Sequence, residues 1–182
     1  MTYNPQIPEW GEKYLENNRK NLVKYHEWLS TTGVKAGLIS PKKDQYIWDE
    51  FIVHSLYFYK LIEDLNLENK DLFDIGTGGG IPGIPISIVN KAKVTLIDNK
   101  TSRIYELERL IKILRLKDLH AKEKNALELL KKEKNAVFTL RCYLSTSNLI
   151  NEVAKTPNKN IFLVSSKAVS YTHLTLPTIL LV

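Results

Sequence analysis

The stretch Asp71-Leu-Phe-Asp-Ile-Gly-Thr-Gly-Gly-Gly-Ile-Pro-Gly-Ile-Pro85 decides how this chain folds. Asp71 to Ile75 reads as a strand, Gly76 to Gly80 as a turn, and the residues from Ile81 as a helix. Glycines at 76, 78, 79 and 80 let backbone pass close beneath a ligand where a Cβ would collide. Pro82 fits the first helical turn, whose N–H groups lack intrahelical partners. The next apolar run, Lys93-Val-Thr-Leu-Ile97, ends at Asp98, whose carboxylate can accept two hydrogen bonds from ribose hydroxyls. Together these features describe a nucleoside-cofactor pocket at the carboxyl edge of a parallel sheet.

Around this unit, strands are expected at 71–75, 93–98, 119–123, 136–140 and 160–165. Helices are expected between them at 81–90, 102–115, 125–132 and 144–154. Helix 102–115 is amphipathic: Ile104, Leu107, Leu110, Ile111 and Leu114 face inward, and Arg103, Glu106, Arg109 and Lys112 outward. Helical crossovers between successive strands imply an α/β, doubly wound, mostly parallel sheet. Ahead of it, residues 7–30 read as a helix broken by Thr31-Thr32-Gly33, and 44–66 as a second, buried helix. The stripe Trp10, Tyr14, Leu15, Leu22, Tyr25, Trp28 and Leu29 is read as core packing in preference to a base-stacking surface. The expected division is a helical cap over 1–66, a sheet domain over 67–168 incomplete at its C-terminal end, and a tail over 169–182.

The 182 residues suit one domain, and 43% hydrophobic with 25% charged residues is ordinary for a soluble globular chain. Cys142 is the sole cysteine, which excludes an internal disulfide and fits a reducing compartment. The N-terminus has neither a basic nor an apolar signal region, and no apolar run is long enough to span a membrane. A cytoplasmic protein is therefore expected, without membrane or metal. A net charge of +6 points weakly to a polyanionic partner. The lysine-rich run 122–134 is read as a solvated helix face.

Two cofactor classes use a strand, glycine turn, helix and strand-end acid: nicotinamide dinucleotides and S-adenosylmethionine. Gly78-x-Gly80-x-x-Gly83 satisfies the dinucleotide spacing, yet such a lone match is weak. Asp74 argues against it, because a carboxylate there would repel two phosphates. A cofactor carrying an ammonium and a sulfonium favours that carboxylate, so Asp74-Ile-Gly76-Thr-Gly78 points to S-adenosylmethionine.

The segment Phe73 to Val89, above all Ile81-Pro82-Gly83-Ile84-Pro85, resembles the signature of the small-subunit ribosomal RNA methyltransferase G family, also called glucose-inhibited division protein B. Val94-Thr-Leu-Ile-Asp98 followed by Arg103 is similar to that family's second strand and basic helix start. Leu140-Arg141-Cys142 stands where the family has Ser-Arg-Ala. The resemblance implies a Rossmann-like, class I S-adenosylmethionine-dependent methyltransferase fold. It also implies methyl transfer to N7 of a guanine in 16S ribosomal RNA or the small ribosomal subunit; a monomer is expected. By position, Gly76 and Ile81 would contact the cofactor's methionine end, Ala126 and Leu127 would flank its adenine, and Arg141 would close the pocket. Asp98 would take the ribose. Three positions depart from the family: Phe51-Ile-Val-His54-Ser55 replaces His-x-x-Asp-Ser, Gly37-Leu38-Ile39 replaces Asn-Leu-Thr, and Ser102 replaces a lysine.

Guanine N7 carries a lone pair and no proton, so its methylation needs no general base. A pyrimidine C5 acceptor would need a cysteine nucleophile, and Cys142 is read as packing instead. An exocyclic amine acceptor usually comes with Asn/Asp-Pro-Pro-aromatic after strand four, where this chain has Arg141-Cys-Tyr-Leu. Two other readings stay open: a methyltransferase of the same fold acting on a small molecule or other RNA, and a degenerate, non-catalytic RNA-binding fragment. Val169-Ser-Tyr-Thr-His-Leu-Thr-Leu-Pro-Thr178 resembles one reading frame of a transposase adaptor used in sequencing libraries. Native sequence is accordingly expected to end near Lys167 or Ala168. The structural alternative for this tail is an edge strand.

Overall fold

The computed structural model describes residues 5–90, 93–141, 160–166 and 178–181. Strands β1 (Asp71–Ile75), β2 (Val94–Asp98), β3 (Leu119–Glu123), β4 (Asn135–Arg141), β5 (Asn160–Ser166) and β6 (Thr178–Leu181) form one sheet, ordered β3-β2-β1-β4-β5-β6. The first five are parallel, and β6 runs antiparallel to β5. The sheet is thus the expected doubly wound, mostly parallel one. β6 extends its pairing past the expected domain boundary at 168. The helix expected at 144–154, and Cys142, lie outside the described residues.

From β1 the chain builds outward in one direction through β2 and β3, then returns to the other side of β1 with β4 and β5. The switch between β1 and β4 opens a crevice at their carboxyl ends, the usual ligand position in such sheets. Side chains alternate between two layers along each strand. Leu72, Val94, Leu96 and Val137 join the larger core, with the N-terminal helices, α5 (Gly83–Val89) and α6 (Thr101–Leu114). Ile75, Ile97, Phe138 and Leu140 join the smaller one, with Leu129 and Leu130 of α7 (Ala126–Lys132).

The cap is built from α1 (Glu12–Leu15), α2 (Arg19–Trp28), α3 (Asp44–Tyr46) and α4 (His54–Asp64). Tyr14, Leu15, Leu22, Tyr25 and Leu29 are buried, so the aromatic stripe is core. Its helices differ from expectation in three ways. The first is interrupted at 16–18, where Asn18 Nδ2 donates to the carbonyl of Tyr14 and competes with the helical ladder. Thr31-Thr32-Gly33 does not break the helix: Leu29–Gly33 winds as a wider π-turn. There Ser30 and Thr31 hydroxyls donate to the carbonyls of His26 and Glu27. Gly37, at φ +66°, ends the segment instead, with the Leu38 N–H closing onto the Gly33 carbonyl. The third difference is Ile47–Val53, another π-wound stretch, leading into α4.

Two contacts seat the cap on the glycine turn. The buried Tyr25 hydroxyl donates to the Gly79 carbonyl at 2.9 Å, and Leu29 and Ile39 lie against Gly79. Among the described residues, no helix is long and apolar enough to cross a membrane.

Gly83 has no room for a side chain: a Cβ would stand 2.3 Å from Leu96 Cδ2 and 2.8 Å from Asp74 Oδ2. Gly33 has room, with its nearest neighbour at 3.4 Å. Gly83→Ala should therefore lower unfolding stability by roughly 1–3 kcal/mol. Gly33→Ala should leave it unchanged or raise it by about 0.4–1 kcal/mol, with urea titration reading both.

Candidate functional site

The turn after β1 needs glycine where its backbone becomes left-handed, at Gly76 (φ +66°), Gly78 (φ +55°) and Gly80 (φ +92°). Gly76 and Gly78 are partly exposed, whereas Thr77, Gly79 and Gly80 are buried. Backbone at 76 and 78 therefore faces the crevice. A Cβ on Gly78 would meet nothing nearer than the Gly76 carbonyl at 3.9 Å, so packing leaves that space open. Ile81 is 9% exposed and belongs to the larger core.

Asp74, expected to favour a cationic ligand, lies inside the protein and not on the crevice surface. Its carboxylate is fully buried. Oδ2 accepts from Thr77 Oγ1 at 2.6 Å and from the Gly83 N–H at 2.9 Å. Oδ1 accepts from Thr139 Oγ1 at 3.1 Å. Strand alternation puts Asp74 on the face of Leu72, beneath α5. Burial pushes its pKa up to about 6; the three hydrogen bonds oppose that rise, and the nearby Asp98 charge adds to it.

Asp98, at the end of β2, is 3% exposed. Its Oδ2 accepts from the Gly78 N–H at 3.1 Å and from Arg103 Nη1 at 3.0 Å, and Oδ1 accepts from the Lys100 N–H at 3.1 Å. With the Thr77 N–H donating to the Ile97 carbonyl at 3.0 Å, the turn is bound to β2 along its length.

Ala126, at the first position of α7, is buried in the smaller core, and Leu127 packs at that core's edge. The Asn125 side chain caps this helix by accepting from the Leu127 N–H at 2.9 Å. A cavity of about 530 Å³ opens beside them, lined by Asn99, Glu123, Lys124, Asn125, Glu128 and Lys132. Among the described residues, no group of three His, Cys, Asp or Glu side chains comes together as a metal site would require.

Arg141 ends β4 on the far side of the crevice. Its guanidinium donates to the Glu50 carbonyl, lies 3.6 Å from Glu50 Oε2, and stacks 5.0 Å from the centre of the Phe51 ring. It therefore ties the cap to the sheet at the crevice mouth. His54, one turn past Glu50, packs edge-on against Phe58, and its Nδ1 is buried without a hydrogen-bond partner. Burial, with a smaller contribution from Arg141, holds its pKa down at about 4.

The structure thus brings Gly76, Gly78, Asp98 and Arg141 to the carboxyl edge, with Ile81 and Ala126 buried behind it. Sequence reasoning missed Thr77, Thr139, Tyr25 and Glu50. Thr77 carried a signal, three residues after Asp74 inside the turn. Thr139 becomes visible only through the register that pairs it with Asp74. Tyr25 and Glu50 act across long sequence separations that no local pattern records.

A family model described as rRNA small subunit methyltransferase G matches residues 18–173. A ribosomal RNA small subunit methyltransferase G of Oenococcus oeni is 37% identical over 106 residues, covering 57% of this chain and 43% of that protein. One from Streptomyces coelicolor is 28% identical over 113 residues, covering 62% and 46%. The chain thus matches less than half the length of these relatives. A solved methyltransferase from Geobacter sulfurreducens shares the fold, with a TM-score of 0.54 at 12% identity over 79% of this chain and 68% of that one.

Asp74 and His54 shift stability with pH in opposite directions. The folded pKa of Asp74 is raised, so its contribution is full below the ordinary aspartate value of 3.8 and is lost as pH rises through about 6. That of His54 is lowered, so its contribution is full above 6.5 and is lost as pH falls through about 4. Relative to wild type, Asp74→Asn should steepen the loss of stability on acidification between these limits, and His54→Phe should flatten it. Denaturant titrations at about pH 7.5 and about pH 4.5 compare the variants.

Proposed function

The chain belongs to the rRNA small subunit methyltransferase G family, and from that premise we propose that its crevice binds S-adenosyl-L-methionine and that it methylates N7 of a guanine in 16S ribosomal RNA. One observation carries this reading: Asp74 accepts from the Thr77 hydroxyl and Asp98 from the Gly78 N–H, so two carboxylates hold a turn whose Gly76 and Gly78 backbone faces the crevice. Two carboxylates under one turn favour a ligand with a cationic end and repel the pyrophosphate of a dinucleotide. The open space over Gly78 admits close approach of such a ligand, so the residues present fit this cofactor.

When bound, S-adenosyl-L-methionine supplies a methyl group on a sulfonium, already an activated leaving group. The chain's own residues bind and orient. Gly76 and Gly78 offer backbone to the methionine end, with Ile81 packed behind. Asp98 accepts from the ribose, and Ala126 and Leu127 flank the adenine. Arg141 holds the cap at the mouth, where a cation also attracts an RNA phosphate. Since guanine N7 has no proton to lose, the protein's task is alignment and exclusion of water. The net charge of +6 suits an RNA partner.

Isothermal titration with S-adenosyl-L-methionine should show binding. Transfer of labelled methyl should then occur to 16S rRNA from cells lacking the N7 modification, and not to small acceptors. Binding without transfer to RNA would favour a small-molecule methyltransferase, and no binding would favour a non-catalytic protein. Asp98→Ala should weaken cofactor binding by roughly 1–3 kcal/mol. Unchanged affinity would refute the ribose assignment.

A further inference from the structure

Asp98 is the acceptor the ribose needs, yet its oxygens already hold three donors. Two are the backbone N–H groups of Gly78 and Lys100, fixed by the turn and by the start of α6. The third is the Arg103 guanidinium, on a long rotatable stem, with a side chain 30% exposed above a carboxylate 2% exposed. A carboxylate oxygen accepts about two hydrogen bonds, and Oδ2 already has Gly78 and Arg103. A ribose presenting two hydroxyls therefore competes with Arg103, the one donor of the three able to leave.

We propose that ribose binding displaces Arg103 from Asp98 and that the freed guanidinium takes a phosphate of the RNA substrate, so that cofactor and RNA tighten each other's binding through this residue. The proposal rests on the reading of Asp98 as the ribose acceptor. The planar fork of the Arg103 guanidinium matches phosphate geometry. It stands in the first turn of α6, where the helix end adds positive potential. The exposed Lys100 lies beside it, and the intervening Ser102 is uncharged. Glu123, the nearby acid at the end of β3, is held by the Thr101 hydroxyl at 2.8 Å. With Asp98 turned to the ribose, the Arg103 donors are free to meet a phosphate beside Lys100. Linkage makes the effect reciprocal: whatever factor the cofactor contributes to RNA affinity, RNA contributes to cofactor affinity.

Fluorescence anisotropy with a labelled, unmodified 16S rRNA transcript and the full chain tests this. S-adenosyl-L-homocysteine and methylthioadenosine, which both carry the ribose, should each lower the RNA Kd by about fivefold or more, and L-methionine should leave it unchanged. Arg103→Ala should bind RNA more weakly, lose the response to S-adenosyl-L-homocysteine, and bind that ligand as tightly as wild type or tighter. Arg103→Lys, which keeps charge and fold, should restore part of the response. Retained tightening in Arg103→Ala, or none in wild type, would overturn the proposal. Calorimetry of S-adenosyl-L-homocysteine with Asp98→Ala separates the two levels. Unchanged affinity there removes the ribose reading and this proposal together. Weakened affinity with no coupling in wild type removes this proposal alone.

Discussion

The Asp74 carboxylate joins three segments, and the crevice takes its shape from that junction. Through Thr77 it holds the turn, through the Gly83 N–H it holds the start of α5, and through Thr139 it holds β4 beside β1 at the switch in sheet direction. A buried carboxylate is costly, and its raised pKa of about 6 shows that these donors compensate only part of the desolvation. Remove one donor and the carboxylate keeps two, its pKa rises further, and it takes up a proton more readily. The turn is therefore held in one shape, with Thr77 and Gly80 inward and Gly76 and Gly78 outward. Gly83 belongs to the same junction, because any side chain there would push into the carboxylate.

The cap depends on that turn and on the opposite wall. Tyr25 reaches the Gly79 carbonyl, and Arg141 reaches back from β4 to Glu50. The cap thus grips both sides of the switch point, and a shift of either strand end would be felt in it. The widened helical stretches Leu29–Gly33 and Ile47–Val53 lie next to these contacts. Each inserts extra backbone per turn, which re-aims the following side chains without ending the helix.

Most of the sheet was legible because its punctuation is chemical. Gly76, Gly78 and Gly80 demanded left-handed backbone, and α6 repeated its apolar residues at helical spacing. The cap helices were legible as helices but not in their winding. Hydroxyl back-bonding by Ser30 and Thr31 kept a helix going through residues that ordinarily signal its end. Asp74 shows the opposite failure. Its charge was used in the sequence reading, but its direction follows from two-residue alternation with Leu72, which buries it under α5. Thr139 and Glu50 carried no local signal, since their partners lie 65 and 91 residues away in sequence.

Charge at the crevice is arranged by depth. The floor holds Asp74 and Asp98; burial above all, with a smaller contribution from the Asp98 charge, raises the pKa of Asp74, so a cation arriving above them favours its charged form. The rim holds Lys100, Arg103 and Arg141 on the two walls, and two of these are pulled inward by carboxylates: Arg103 by Asp98 and Arg141 by Glu50. An anionic polymer therefore meets a rim whose arginines are partly neutralised by the protein itself. Filling the floor first changes that balance, because a ligand that engages Asp98 frees a rim cation. With the net charge of +6 unchanged, the rim thus offers its guanidinium donors inward or outward, depending on what lies beneath it.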